Sequence, residues 1–138
     1  MLTAKECQAK YGNPEKELNM TVCNIPPEYV SGGIPKRVYC NKDMVEPLIR
    51  AFKLINQQGL GSCIKTFDGC FNIRNKRGGS TPSLHSWGVA IDINAAWNRF
   101  GATPTMEPAV VKCFKDSGFD WGGDWDVPDG MHMQLKRI

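Results

Sequence analysis

Residues 83–94 read Ser83-Leu84-His85-Ser86-Trp87-Gly88-Val89-Ala90-Ile91-Asp92-Ile93-Asn94, and the second half of this stretch decides the fold. From Val89 the side chains alternate. Val89, Ile91 and Ile93 fall on one face of a strand, and Ala90, Asp92 and Asn94 fall on the other. A strand that is apolar on one face needs neighbours in a sheet and a cover over that face.

The cover can be read on both sides of the strand. Val45, Leu48, Ile49, Phe52 and Ile55 form a stripe at helical spacing, which predicts a helix from near Asn41 or Asp43 to just before Gly59. A second helix is expected over Glu107 to Ser117, with Pro104 ahead of it and Gly118 at its end. At the N-terminus, Thr3-Ala4-Lys5-Glu6 is a capping box, so a short helix should run to Tyr11 and stop at Gly12. Further strands are expected at Val38-Tyr39-Cys40 and over Met131 to Leu135. Asp68-Gly69 reads as a hairpin turn between Cys63 to Phe67 and Cys70 to Arg74, with Cys63 opposite Arg74 and Cys70 opposite Phe67. Asn13 to Cys40 is otherwise loop with one or two short strands, and Asn75 to Pro82 is a basic, glycine-rich loop. The expectation is an α+β fold, a small antiparallel sheet with helices packed on one side, forming a single domain over 1–138.

Bulk properties narrow the class. An apolar fraction of 41% and a charged fraction of 22% lie near the globular average, which excludes disordered and fibrous chains. The apolar runs are too short for a membrane span. No apolar core of a secretory signal follows Met1, so synthesis in a cytoplasm is expected. The net charge of +3 favours an anionic partner, but no basic stripe is interleaved with aromatics, and nucleic acid is not expected. Six cysteines (Cys7, Cys23, Cys40, Cys63, Cys70, Cys113) form no C-x-x-C pair. A reduced, mostly buried set is the preferred reading, with disulfides formed after release from the cell as the alternative.

The chain has only two histidines, and each stands near a carboxylate. His85 precedes Asp92 with room for a turn through Gly88. Asp129-Gly130-Met131-His132 places an acid three residues before the second imidazole. Asp92 is the anomaly, because a carboxylate between Ile91 and Ile93 is costly to bury unless a cation or hydrogen-bond donors compensate it. Two imidazoles and one carboxylate are a common catalytic zinc set, leaving a fourth position for water. Asp129 is then the natural second carboxylate to take the proton, with Asp124 and Asp126 behind it. Plainer readings stand beside these. A histidine can be structural, Asp92 can cap a turn, and Pro128-Asp129-Gly130 is good turn chemistry in its own right.

The stretch from Ser83 to Asn94 resembles the Ser-x-His-x-x-Gly-x-Ala-x-Asp motif of the zinc D-alanyl-D-alanine carboxypeptidase and L-alanyl-D-glutamate peptidase family. Trp121-Gly122-Gly123-Asp124-Trp125, followed by Asp129-x-x-His132, resembles the closing motif of that family's endopeptidase and phage endolysin branch. The resemblance covers about Gly69 to Leu135, and residues before Asp43 match little. It implies that His85, Asp92 and His132 bind Zn2+ and that Asp129 is the general base. Arg74, on a strand preceding the motif, matches the family's arginine that steadies the polarised carbonyl oxygen, with Arg77 a weaker substitute.

Other motif residues are open to two readings. Ser83 either orients the site and touches substrate or makes a local turn hydrogen bond. Trp121 and Trp125 are either aromatic walls of a substrate cleft or core filler, whereas Trp87 and Trp97 read as core. Many carboxypeptidase members use Glu at the position of Asp129, which is one methylene shorter; some phage endolysins carry Asp. The implied activity is therefore cleavage of L-alanyl-D-glutamate in bacterial peptidoglycan. The implied protein is a monomer without a separate wall-binding domain and without membrane insertion, held in the host cytoplasm before lysis. The rivals are a D-alanyl-D-alanine carboxypeptidase or dipeptidase, and a non-catalytic wall-binding or signalling module with a structural zinc.

Overall fold

In the computed structural model, which describes all 138 residues, the strand carrying Asp92 lies inside a four-stranded antiparallel sheet. In chain order the elements are α1 (Ala4–Tyr11), β1 (Met20–Asn24), β2 (Arg37–Asn41), α2 (Val45–Gln57), β3 (Phe67–Gly69), β4 (Ala90–Ile93), α3 (Pro108–Asp116), β5 (Phe119–Trp121) and β6 (His132–Leu135). The main sheet has the order β3-β4-β6-β5, and β1 and β2 form a separate antiparallel pair. The α+β expectation holds.

Register assigns each side chain to a face. β4 and β6 pair Ala90 with Gln134, Ile91 with Met133 and Asp92 with His132. β5 adds Phe119 opposite Leu135 and Trp121 opposite Met133. Directly opposed residues share a face, so Ile91, Met133, Leu135, Phe119 and Trp121 lie on one side of the sheet, and Ala90, Asp92, His132 and Gln134 on the other. The apolar side is covered by helices. Phe119 meets Phe114 of α3 edge-on at 5.3 Å between ring centres, and Phe114 meets Phe52 of α2 at 6.2 Å. All three rings are fully buried, and each such side chain stabilises the fold by roughly 1.5–3 kcal/mol. The opposite face is left free to hold polar groups.

The helices form where the sequence predicts them. Thr3 and Glu6 close the capping box on α1, and Gly12 ends it with φ 76°. α2 buries Leu48, Ala51, Phe52 and Ile55, and Val45 and Ile49 pack at its margin. It is preceded by a tight turn over Lys42–Met44, in which Asn41 Oδ1 accepts from the Asp43 amide at 2.9 Å. In α3, Glu107 is the residue before the helix, and Pro108 is its first residue.

Two expectations fail. Asp68-Gly69 is not a hairpin turn, and Cys63 does not face Arg74. Both residues of the dipeptide lie in β3, where Phe67 pairs with Ile93 and Gly69 with Asp92, so one extra residue makes a bulge. Gly69 takes φ 140°, and Asp68 Oδ2 accepts from the Ala95 amide at 2.9 Å and the Thr66 hydroxyl at 2.8 Å. The same small flexible pair that can close a hairpin here ties β3 to the end of β4. Beyond it, residues 70–74 form no strand but run irregularly beside residues 83–86, through Asn72 N to His85 O at 3.1 Å and Ser83 N to Arg74 O at 2.8 Å. Trp97 also departs from expectation: the residue is 46% exposed, with the Lys65 ammonium 4.5 Å from a ring centre, whereas Trp87 is buried. All six thiols are free. Five are buried, and Cys63 is partly so.

Candidate metal centre

Three separate devices bring His85, Asp92 and His132 to one point. Asp92 and His132 are opposed residues of β4 and β6, so their side chains rise from the sheet together. His85 belongs to the tight turn Leu84–Trp87. Ser83 caps this turn by accepting the His85 amide on Oγ at 3.3 Å, which is the local hydrogen-bonding reading of that serine. Gly88 then reverses the chain into β4 with φ 68°. A side chain there would put Cβ 2.7 Å from both the Asn41 amide nitrogen and Met20 Cε, so only glycine fits.

The ligand-type atoms converge. His85 Nε2 lies 3.3 Å from Asp92 Oδ1, His132 Nδ1 lies 3.5 Å from the same oxygen, and all three atoms lie within 4.8 Å of one another. Ligands held at 2.0–2.1 Å around a tetrahedral zinc are spaced by roughly 3.3 Å. The two Asp92–histidine edges therefore suit such an ion.

Each imidazole also has its other nitrogen occupied. His85 Nδ1 is 2.7 Å from the Cys70 carbonyl, and a carbonyl only accepts, so Nδ1 bears the proton and Nε2 presents its lone pair to the site. His132 Nε2 donates to Gln134 Oε1 at 2.9 Å, leaving Nδ1 free toward Asp92. Metal-binding histidines are oriented in this way by acceptors behind them. His85 Nε2, Asp92 Oδ1 and Asp129 Oδ1 are buried without a hydrogen-bond partner. Three unpaired acceptors clustered together are costly unless a cation joins them. The residues fit a divalent metal.

The two carboxylates differ in proton affinity. Burial works to raise the pKa of Asp92, but in the metal-free protein His132 and His85, when protonated on the nitrogens that face it, outweigh burial by hydrogen bonding and charge and hold the group well below the usual carboxylate range. Asp129 goes the other way. Burial raises it and the neighbouring Asp92 adds to the effect, against opposing pulls from His132, Arg77 and His85. One carboxylate is thus kept ionised and the other is made more basic, the division that ligand and proton acceptor require.

Asp129 is positioned by a clamp. Its amide donates to the Gly122 carbonyl at 2.8 Å, its own carbonyl accepts the His132 amide at 3.1 Å, and its Oδ2 is 4.0 Å from His132 Nδ1. A Cβ on Gly122 would lie 2.4 Å from the Asp129 carbonyl oxygen, which accounts for glycine in the Trp121-Gly122-Gly123 stretch. Trp121 Nε1 donates to the Gly130 carbonyl at 2.8 Å and holds the same turn.

Asp92, Asp129 and His132 line a cleft of about 260 Å³, with Arg74, Ser83 and Trp125 among its walls. Trp125 lies 5.3 Å from the His132 ring, centre to centre. Trp121, open between cleft wall and core filler in the sequence, does not line the cleft. It sits on the opposite face of the sheet, packed against the core, because the alternation that begins at Phe119 sends it there. Arg74 reaches the cleft from an irregular segment, not from a strand, with its amide on Ser86 Oγ at 3.3 Å. Asp124 is exposed and ion-paired with Lys115 at 2.6 Å, and Asp126 is exposed, so neither stands in the cleft with Asp129. Gln134 and the Cys70 carbonyl are the participants that sequence reasoning missed. Gln134 lies two residues beyond His132 on a strand and so had to share its face; a backbone carbonyl leaves no such trace.

An α+β sheet that presents two imidazoles and a carboxylate to one point, with a second, more basic carboxylate alongside, has the arrangement of a metal-dependent hydrolase. Residues 77–135 match the family model described as D-alanyl-D-alanine carboxypeptidase. The match spans a little under half of the chain. It includes His85, Asp92, Asp129 and His132 and begins after Arg74, and it supports a metallopeptidase. No curated protein and no solved structure matches the chain.

Proposed function

We propose that this chain is a zinc-dependent peptidase of bacterial peptidoglycan that cuts the L-alanyl-D-glutamate bond as a phage-type endolysin. The observation that carries the reading is the convergence of His85 Nε2, Asp92 Oδ1 and His132 Nδ1 beside an unpaired Asp129. Zinc held by those three atoms would acidify a water molecule and polarise the scissile carbonyl. Asp129 accepts the proton of the attacking water, for which its raised proton affinity suits it, and delivers that proton to the leaving amine. Arg74 donates hydrogen bonds to the carbonyl oxygen as negative charge develops on it. Trp125 walls the cleft and limits the water around the reacting groups. The protein acts as a monomer, collects in the host cytoplasm and meets the wall on release. No helix of the chain is long and apolar enough to cross a membrane.

The description of the matching family favours a second reading, removal of a terminal D-alanine. Mass spectrometry of muropeptides released from purified peptidoglycan separates the two. A new glutamyl amino terminus is expected, appearing with zinc, lost with a chelator and restored by zinc. Loss of a terminal alanine alone would replace the endopeptidase with a carboxypeptidase. Zinc binding without any product would leave a wall-binding module.

A further inference from the structure

Part of the cleft lining is supplied by the loop between Arg74 and Ser83. An Asn75–Pro82 bridge closes its base, Lys76 N donates to the Thr81 carbonyl at 2.8 Å, and Gly79 N donates to the Lys76 carbonyl at 3.1 Å. The loop places Lys76 and Arg77 on the lining of the same cleft as Asp92, Asp129 and His132. Neither cation has an acidic partner. The lysines that do are Lys10, Lys112 and Lys115, all elsewhere, and the carboxylates of the cleft contact only the histidines. Arg77 is nevertheless not left to wander. Its guanidinium carbon lies 5.8 Å from the centre of the Phe100 ring, which also lines the cleft, so the planar group has a surface to rest on while its N–H donors remain free. Arg74, Lys76 and Arg77 outnumber Asp92 and Asp129, and a divalent ion would widen that excess.

We propose that Lys76 and Arg77 form an anion subsite that takes a free carboxylate of the substrate peptide, on the leaving-group side of the scissile bond. The proposal rests on the peptidase reading. A peptide offers carboxylates as its fixed anions, and the fork of an arginine matches a carboxylate with two parallel hydrogen bonds. A glutamyl residue whose nitrogen is the leaving group carries such a carboxylate beside the bond to be cut. Unneutralised cations in a cleft also attract an anionic chain before contact. Arg74 is left for the carbonyl oxygen, so the two tasks fall to different residues of one loop.

The test uses the zinc-loaded full chain and two synthetic L-alanyl-D-glutamyl peptides that differ only in that carboxylate, free in one and a carboxamide in the other. The wild type should prefer the acid, chiefly through KM. Because both side chains are exposed, each is worth up to about fivefold. Lys76→Gln and Arg77→Gln should each lower the acid-to-amide ratio of kcat/KM, the double variant should bring it close to one, and Arg77→Lys should keep part of it. Zinc content and melting temperature, followed in parallel, separate these effects from loss of fold. Equal KM values for the two peptides in the wild type would remove the subsite and leave the peptidase standing, as would an equal loss on both peptides in the variants. If the wild type cuts neither peptide, the peptidase reading fails and the subsite falls with it.

Discussion

Gln134→Ala removes a single hydrogen bond, and its consequences can be worked through. In the wild type Gln134 Oε1 receives the Nε2 proton of His132 at 2.9 Å, in a site where Gln134 is 3% and His132 6% exposed. Without that acceptor the imidazole is free to rotate or to move its proton to Nδ1, the atom that faces Asp92. Loss of such a supporting partner costs about 10- to 100-fold in metal affinity, equivalent to about 1.4–2.7 kcal/mol. The buried Nε2–H left behind costs about 1–3 kcal/mol of fold stability unless water reaches it. Zinc competition against a chromophoric chelator reads the first effect, and melting of the zinc-free protein reads the second. The two are linked. At free zinc a hundredfold above the wild-type Kd, binding adds about 2.7 kcal/mol of stability, and thirtyfold weaker binding reduces that to about 0.9 kcal/mol. Gln134→Glu keeps an acceptor in place and should recover most of the affinity. If Gln134→Ala binds zinc as tightly as the wild type, or if the glutamate variant does no better than the alanine one, then Gln134 does not orient His132.

Asp129→Asn should lower kcat on peptidoglycan by about 10²- to 10⁴-fold while zinc still binds; normal turnover would take the proton-accepting role away from this residue. The same variant should be more stable than the wild type at neutral pH in the zinc-free state. The folded protein holds the Asp129 proton more tightly than the unfolded chain, whose ordinary value is 3.8, so ionisation of this group opposes folding. The penalty is absent below the unfolded value and complete above the raised folded one, so melting curves of the two proteins should converge as pH falls below about 4. A gap that persists in acid would point to packing instead. Asp92 has the opposite sign: its depressed value contributes stability above the unfolded pKa, and this is lost as pH falls further toward the folded one. Gly122→Ala forces a Cβ to within 2.4 Å of the Asp129 carbonyl oxygen, and should cost about 1–3 kcal/mol and displace Asp129. A variant with unchanged melting and unchanged turnover would show that the clamp is dispensable.

The parts of this structure that were legible in the sequence are those specified by local periodicity. The stripe from Val45 to Ile55 has the same core face whether or not its partners are known, and alternation from Val89 to Ile93 already separates Asp92 from the apolar side. The failures share one cause: a local signal that serves two geometries, with the choice made by a distant partner. Asp68-Gly69 can turn a hairpin or make a bulge, and the Ala95 amide, supplied by the far end of β4, decides for the bulge. Trp121 can line a cleft or a core, and three-residue β5, too short to show a pattern of its own, sends it to the core by pairing with β6. The same logic explains why the metal-site geometry could be anticipated only in outline. Asp92 and His132 were each visible as polar residues in apolar strands, but their opposition is a fact of β4–β6 register, and the 39 positions between them carry no local trace of it. What register adds is stringency. A one-residue slip of β6 against β4 would send His132 and Gln134 to the helix side and Met133 into the cleft, so the burial of Met133 and Leu135 on the helix side also holds His132 in phase with Asp92.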